Sequence, residues 1–276
     1  RDLPISYIST DSRKTINNES SVFFAIKGKI HDGHQYIDDL YNRNIRQFII
    51  ENRDFPHDKY PDANFFVCEN SIFALQELAA YYRQLFNLKI LAITGSNGKT
   101  IVKEWLSQIL SWKYNVVKSP KSYNSQIGVP LSIWQINESH NFGVFEAGIS
   151  TRGEMTRLEK IIKPDIGILT NIGSAHDEGF HSRTEKLEEK MELFKDCKNL
   201  IYNLDDDLVH NTISKLLPEC EKITWGTKPE AIFQIAEISQ EVKGSKIRIL
   251  HDFTAYEFNF KFTEQASIEN IIHCIV

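Results

Sequence analysis

The sequence predicts an α/β protein: a small N-terminal α/β domain, then a larger domain whose mostly parallel sheet is covered by helices on both faces. Three observations carry this. From Leu88 onward, apolar strands of four to eight residues alternate with helical stretches, the pattern of parallel strands buried on both faces. The first of these strands runs into a glycine-containing loop, Gly95-Ser-Asn-Gly-Lys-Thr100, that opens a helix. Residues before it follow a different rhythm, in which short apolar runs are separated by polar turns. The expected division is therefore 1–86 and 87–276.

In the first domain, Val22–Ile26, Gln47–Ile50 and Asn64–Val67 read as strands. Ser71–Phe86 reads as a helix, with Ile72, Leu75, Leu78, Ala79 and Tyr82 at spacings of three and four. In the second, strand Leu88–Ile93 leads into the glycine loop. A helix over Thr100–Ser111 follows, with Val102, Trp105, Leu106, Ile109 and Leu110 on or near one face. Strands Asn115–Lys118 and Phe142–Ala147, a helix near Glu154–Ile162 and strand Asp165–Ile172 come next. A helix over Thr184–Cys197, strand Leu200–Leu204, helix Leu208–Leu217 and strand Ile223–Trp225 complete the alternation. The last stretch changes period. Ile232–Val242, Lys246–Leu250 and Tyr256–Phe262 alternate at period two around Lys243-Gly-Ser245, which predicts an antiparallel ribbon.

Composition narrows the class. With 41% hydrophobic and 25% charged residues in 276, the chain has the make-up of an ordinary globular protein with room for two domains. No apolar run approaches the length of a membrane span, and Arg1-Asp-Leu-Pro4 has no apolar stretch of the secretory kind. The absence of an initial Met leads us to expect an excerpt of a longer protein. Cys68, Cys197, Cys220 and Cys274 are scattered without a C-x-x-C pair, so neither a zinc site nor a disulfide scaffold is expected. Reduced thiols and a cytoplasmic location are the simplest expectation. A net charge of −5 argues against general nucleic-acid binding. It leaves room for a phosphorylated ligand, which backbone N–H groups bind whatever the global charge.

Four motifs carry chemistry. In Leu91-Ala-Ile-Thr-Gly-Ser-Asn-Gly-Lys-Thr100, Gly95 and Gly98 let the backbone curl so that successive N–H groups face a phosphate, and the following helix adds its positive end. Lys99 supplies a charge for the β- and γ-phosphates of ATP, and the Thr100 hydroxyl is placed for Mg²⁺. The loop is shorter than the common Walker form, and no G-x-G-x-x-G accompanies it. Glu146 ends an apolar strand at the carboxyl edge, where open α/β sheets bind ligands. It is either a solvated loop residue or a hard oxygen ligand, and the loop on the same edge favours metal. His176, in Thr170-Asn-Ile-Gly-Ser-Ala-His176, is either a surface histidine or a metal or phosphate contact, and its small neighbours permit close approach. Lys190 follows Leu187 and precedes Met191 and Phe194, so it lies along an apolar helix face. There it either snorkels to solvent or loses solvent and becomes a nucleophilic amine. Two polar segments, Thr10-Asp-Ser-Arg13 with His31-Asp-Gly-His34, and Tyr123 to Pro130, are either ordinary turns or ligand loops.

Taken together, these segments resemble the Mur ligases, the ATP-dependent enzymes that build the peptide stem of bacterial peptidoglycan precursors. The resemblance covers nearly the whole chain and its motifs fall in the family order. It implies that Gly95, Ser96, Asn97, Gly98, Lys99, Thr100 and Ile101 hold ATP, with Asn171 and Asn270 also on the nucleotide. Asn270 matches the family's asparagine near the adenine, while Glu269 stands where a histidine is usual. It also implies magnesium ligands at Thr100, Glu146 and His176, and a carbamylated Lys190 that helps to hold a second Mg²⁺. Lys99, Lys190 and His176 are the catalytic residues implied.

Within the family the chain is similar to the branch that adds D-alanyl-D-alanine to UDP-N-acetylmuramoyl-tripeptide. Ser12 and Arg13 in a UDP-binding first domain, and Asn124 and Ser125 in a substrate loop, are the precursor contacts implied. Ser119–Leu131 and Phe145–Ser150 are most similar to the form fused to an alanine racemase. The resemblance further implies that the C-terminal ligase domain lies outside this chain, so that residues 1–276 bind more than they turn over. The alternatives are a sister ligase adding the third stem amino acid, a folate-type ligase, a P-loop kinase or GTPase, and a non-catalytic nucleotide-binding module.

Overall fold

The computed structural model describes residues 2–28, 30–173, 179–241 and 244–276. They form two compact units, Arg1–Tyr82 and Arg83–Val276. In the first, β1 (Tyr7–Ser9), β2 (Ser21–Phe24), β3 (Gln47–Ile50) and β4 (Asn64–Val67) make a parallel sheet in sequence order. Helix α1 (Ile37–Asn42) crosses from β2 to β3, and α2 (Ser71–Gln84) follows β4. Phe23, Ile37, Leu40, Ile45, Phe48 and Tyr60 form the core. The sequence pattern missed β1 and α1 because three and six residues are too few to show a period.

The second unit begins with β5 (Lys89–Thr94), α3 (Lys99–Leu110), β6 (Val116–Lys118), α4 (Gly128–Ile133) and β7 (Phe142–Glu146). Then come α5 (Glu154–Ile162), β8 (Ile166–Leu169), α6 (Arg183–Met191), β9 (Asn199–Asn203), α7 (Asp207–Leu216) and β10 (Glu221–Gly226). The unit closes with β11 (Phe233–Glu241), β12 (Gly244–His251), β13 (Thr254–Phe260) and α8 (Gln265–Ile275). The sheet order is β13-β12-β11-β10-β9-β8-β5-β7-β6, parallel from β6 to β11 and antiparallel in the β11–β13 ribbon.

Alternation along the strands sets the layers. Leu91, Ile93, Val144 and Ile168 pack with Val102 and Leu106 of α3 and with Ile268, Ile271 and Ile272 of α8. Residues between them face the other way: a Cβ on Gly167 would lie 2.6 Å from the Phe194 ring, behind α6. Helices α4 to α7 pack in a row on one another.

Several boundaries differ from expectation. The strand expected over Asp165–Ile172 stops at Leu169, because Thr170 to Gly173 leave the ladder to pack on the glycine loop. The helix expected over Thr184–Cys197 ends at Met191 and tightens into a 3-10 turn, Glu192–Phe194. Gly244 and Ser245, expected in a turn, pair in the β11–β12 ladder. Ile109 of α3, expected on the apolar face, is 47% exposed. Helix α8 was not foreseen.

The topology positions the site. From β5 the chain first moves to the sheet edge (β6) and returns to fill the gap with β7, then crosses to the other side of β5 (β8, β9). The loops leaving β5, β7 and β8 therefore share a crevice at this switch point.

Candidate functional site

Two glycines make the turn from β5 into α3. Gly95 has φ +145° and Gly98 φ +82°, and neither has room for a side chain. A Cβ on Gly95 would sit 2.0 Å from Thr170 Oγ1, and one on Gly98 2.1 Å from Asn270 Oδ1. No side chain among the described residues caps α3, which leaves its first-turn N–H groups and positive end at the loop mouth.

The outer amides of the loop behave differently from expectation. Ser96 N–H donates to Asn171 O (2.8 Å) and Asn97 N–H to Asn171 Oδ1 (3.0 Å), so they do not face a phosphate. Because β8 lies beside β5, the segment after β8 runs along the loop and takes these donors. Thr170 Oγ1 donates to Asn97 O (2.6 Å), and Gly173 N–H donates to Ser96 Oγ (2.8 Å). Asn171 thus braces the loop. Inside it, Lys99 Nζ donates to Gly95 O (2.8 Å) and Ser96 O (3.2 Å). Burial lowers the Lys99 pKa; Glu146 opposes the shift and Lys186 adds to it.

Glu146 ends β7, fully buried. Thr100 Oγ1 donates to its Oε2 (2.9 Å), and Lys103 Nζ stands 3.7 Å from its Oε1. That Oε1 has no hydrogen-bond partner among the described residues. Burial pushes the carboxyl pKa up, against the Thr100 hydrogen bond and the charges of Lys103 and Lys99. An orphaned carboxylate oxygen beside a hydroxyl suits a hard divalent cation. No group of three or more His, Cys, Asp or Glu able to hold a metal occurs among the described residues, so such an ion would need hydroxyl, water or phosphate oxygens as well.

Lys103 was not singled out in the sequence. The available signal was its spacing: three residues after Thr100 puts both on the same side of α3, facing Glu146.

Helix α6 supplies the facing wall. Ser182 caps it by accepting from Glu185 N–H (3.0 Å). Lys190 is 3% exposed and does not snorkel; its Nζ donates to Gly95 O (3.2 Å), the carbonyl that Lys99 also reaches. Burial first, then the charges of Lys99 and Lys186, lower its pKa from 10.5 to about 7. Between loop and helix lies a cleft of about 540 Å³. Lys99, Lys186, Lys190, Asn124, Ser125 and Ser150 line it, and no carboxylate does among the described residues. That lining suits an anion. Asn124 O accepts from Gly148 N–H (2.7 Å), and Ser125 Oγ from Gly128 N–H at the start of α4 (3.1 Å). Lys186, four residues before Lys190, was also missed.

The remaining sequence candidates fall as follows. Ile101 is exposed on α3, and Asn270 is buried on α8 against Gly98. His176 lies outside the described residues.

In the first unit, Ser12 and Arg13 border a cavity of about 380 Å³ with Thr10, Asp11, His31 and Tyr36. Asp11 forks onto the Arg13 guanidinium (2.9 and 3.0 Å), and this hydrogen bond holds the Asp11 pKa below its ordinary value. Asp32 Oδ1 accepts from His34 N–H (3.0 Å) and lies 2.5 Å from His34 Nδ1. Because His34 Nε2 accepts from Glu51 N–H (3.1 Å), its proton sits on Nδ1 and points to Asp32.

The chain is similar to known proteins in sequence and in fold. Residues 93–276 match the family described as Mur ligase middle domain. The UDP-N-acetylmuramoyl-tripeptide--D-alanyl-D-alanine ligase of Bacillus subtilis is 31% identical over 245 residues, 88% of this chain and 52% of its own. The enzyme of the same name from Borreliella burgdorferi is 40% identical over 184 residues, 64% of this chain and 39% of its own. The chain thus spans about half the length of the curated relatives it matches. Among solved structures, MurF ligase from Thermotoga maritima in complex with ADP superposes with TM-score 0.86 at 26% identity, covering 100% of this chain and 63% of that one.

Proposed function

Because the chain belongs to the Mur ligase family, we propose that it carries the ATP-binding and precursor-binding parts of a ligase that adds D-alanyl-D-alanine to UDP-N-acetylmuramoyl-tripeptide in peptidoglycan precursor synthesis. One arrangement carries the reading. Lys99 and Lys190, from opposite walls, converge on the Gly95 carbonyl beside the Thr100–Glu146 pair. Such a site can take a nucleotide triphosphate on one side and a carboxylate on the other. The names of the relatives support the acceptor and the dipeptide.

In the proposed reaction the terminal carboxylate of the tripeptide attacks the γ-phosphorus of ATP, and the bond to the β-phosphate oxygen breaks. The products are ADP and an acyl phosphate. The amine of D-alanyl-D-alanine then attacks the acyl carbon, loses a proton, and the C–O bond to phosphate breaks. The first-turn amides of α3 and Lys99 cradle the β- and γ-phosphates, where fixed donors stabilise charge in transit. Lys186, Asn124 and Ser125 orient the acceptor carboxylate, Asn270 and Ile101 lie toward the nucleoside, and Ser12 with Arg13 hold the UDP end.

Thr100, Glu146, His176 and Lys190 as its carbamate would hold magnesium, which supplies charge neutralisation on the transferring phosphoryl group. Two features fit this donor set: Glu146 Oε1 lacks a hydrogen-bond partner among the described residues, and Lys190 is depressed to about 7. Carbamylation needs such a neutral amine. The reaction is expected in the cytoplasm.

Phosphate release measured with each acceptor separately tests the reading. Release that requires UDP-N-acetylmuramoyl-tripeptide and D-alanyl-D-alanine together supports it. Release driven by a single amino acid on a shorter precursor would assign a sister ligase. Since the chain spans half of its relatives, residues 1–276 alone are expected to bind ADP while turning over little. If they bind neither ADP nor the precursor, the reading fails.

A further inference from the structure

Helix α8 carries a buried histidine that the reaction does not use. His273 is 2% exposed, and its two ring nitrogens are both engaged. Trp225 at the end of β10 donates its indole N–H to His273 Nδ1 (3.1 Å), and the rings meet edge to face at 5.0 Å. An indole N–H only donates, so Nδ1 must be the acceptor and the imidazole proton sits on Nε2. Nε2–H is then directed at Thr170 O, 3.0 Å away.

Thr170 is the residue that leaves β8 to hold the glycine loop. Its N–H donates to Thr94 O (3.0 Å), its hydroxyl to Asn97 O (2.6 Å), and its Oγ1 fills the space where a Cβ on Gly95 would stand. One turn before His273 on the same helix, Asn270 fills the corresponding space beside Gly98. Both glycines of the loop are therefore backed, directly or through Thr170, by neighbouring residues of α8. Trp225, His273 and Thr170 form one chain of hydrogen bonds ending at Asn97.

We infer that His273, oriented by Trp225, is a positioning residue for the nucleotide-binding loop. By fixing the Thr170 carbonyl in the core it sets the Thr170 hydroxyl, and so holds Gly95 to Gly98 open in the shape that receives the phosphates. The inference rests on the reading of the loop as a nucleotide site.

The test is ADP binding by calorimetry, well below the melting temperature, for the chain and for His273→Leu, His273→Gln and Trp225→Phe, with a melting curve for each. Leucine removes both hydrogen bonds and leaves the buried carbonyl unpaired, so ADP affinity should fall about ten-fold. Glutamine puts an N–H where Nε2 was and should restore affinity to within about three-fold of the parent. Trp225→Phe keeps the ring but frees the tautomer, and should give an intermediate loss. A purely structural role predicts lower melting temperatures with unchanged ADP affinity in the folded variants, and that result would overturn the inference. So would a glutamine variant as weak as the leucine one. If His273→Leu does not fold, the glutamine and phenylalanine variants decide by the same criteria. Failure of the parent chain itself to bind ADP would count against the nucleotide reading instead.

Discussion

Replacing Lys190 by methionine should change the pH dependence of stability by an amount that the site sets. The amine is buried beneath Gly95 O with Lys99 and Lys186 nearby, and its pKa falls from 10.5 to about 7. Between those values the unfolded chain holds a proton that the fold releases, so stability rises with pH across that window. Each unit of displacement corresponds to about 1.4 kcal/mol. The fold is then disfavoured by about 4 kcal/mol at pH 7 and about 2 kcal/mol at pH 9, relative to a lysine of ordinary pKa. Methionine, of similar length, has no proton to lose. It also forfeits the hydrogen bond to Gly95 O, at about 1 kcal/mol, but that loss shifts the curve without changing its slope. The difference in unfolding free energy between parent and variant should therefore narrow or reverse by about 2 kcal/mol from pH 7 to pH 9. Urea titrations in buffers stripped of CO₂ measure it, because titrating groups remote from Lys190 cancel in the difference, leaving Lys190 and its coupling to Lys99 and Lys186. A flat difference across that range would refute the claim that Lys190 is held largely without its proton. Adding bicarbonate should stabilise the parent and leave Lys190→Met unchanged if the amine is carbamylated; equal responses would remove the carbamate.

Two further perturbations address the loop and its carboxylate. Glu146→Gln keeps the shape of the side chain and its Thr100 contact but removes the charge. The gain in ATP affinity that magnesium gives should fall at least about ten-fold while metal-free ADP binding changes little, as calorimetry with and without magnesium would reveal. Gly98→Ala forces a Cβ to 2.1 Å from Asn270 Oδ1 at φ +82°. It should cost about 2 kcal/mol or more in thermal unfolding, and Asn270→Ala in the same chain should relieve the clash but not the backbone strain. An additive double variant would contradict that packing.

Much of the architecture was legible because it is local. Helix α5 runs from Glu154 to Ile162 as its apolar period predicts, and the ribbon of β11 to β13 follows from alternation at period two. Elements without a long enough period, such as β1, α1 and α4, left no such mark. The glycine loop was evident for a similar reason: φ values of +145° and +82° demand Gly95 and Gly98.

What the sequence could not decide is partnership. Periodicity reports that a side chain is buried, not what it meets. Lys190 stood between snorkelling and desolvation until α6 was seen to press it against a carbonyl 95 positions away. Asn171 reaches the loop across 74 residues and His273 reaches Thr170 across 103, both because strand order sets β8 beside β5 and α8 against α3. The residue pattern was enough to show a strand, a phosphate-type loop and a helix, with a carboxylate at the end of a later strand. Only the tertiary structure decided which amides remain for a ligand, which lysines lose their water, and which residues brace the loop, because each depends on contacts between segments far apart in the chain.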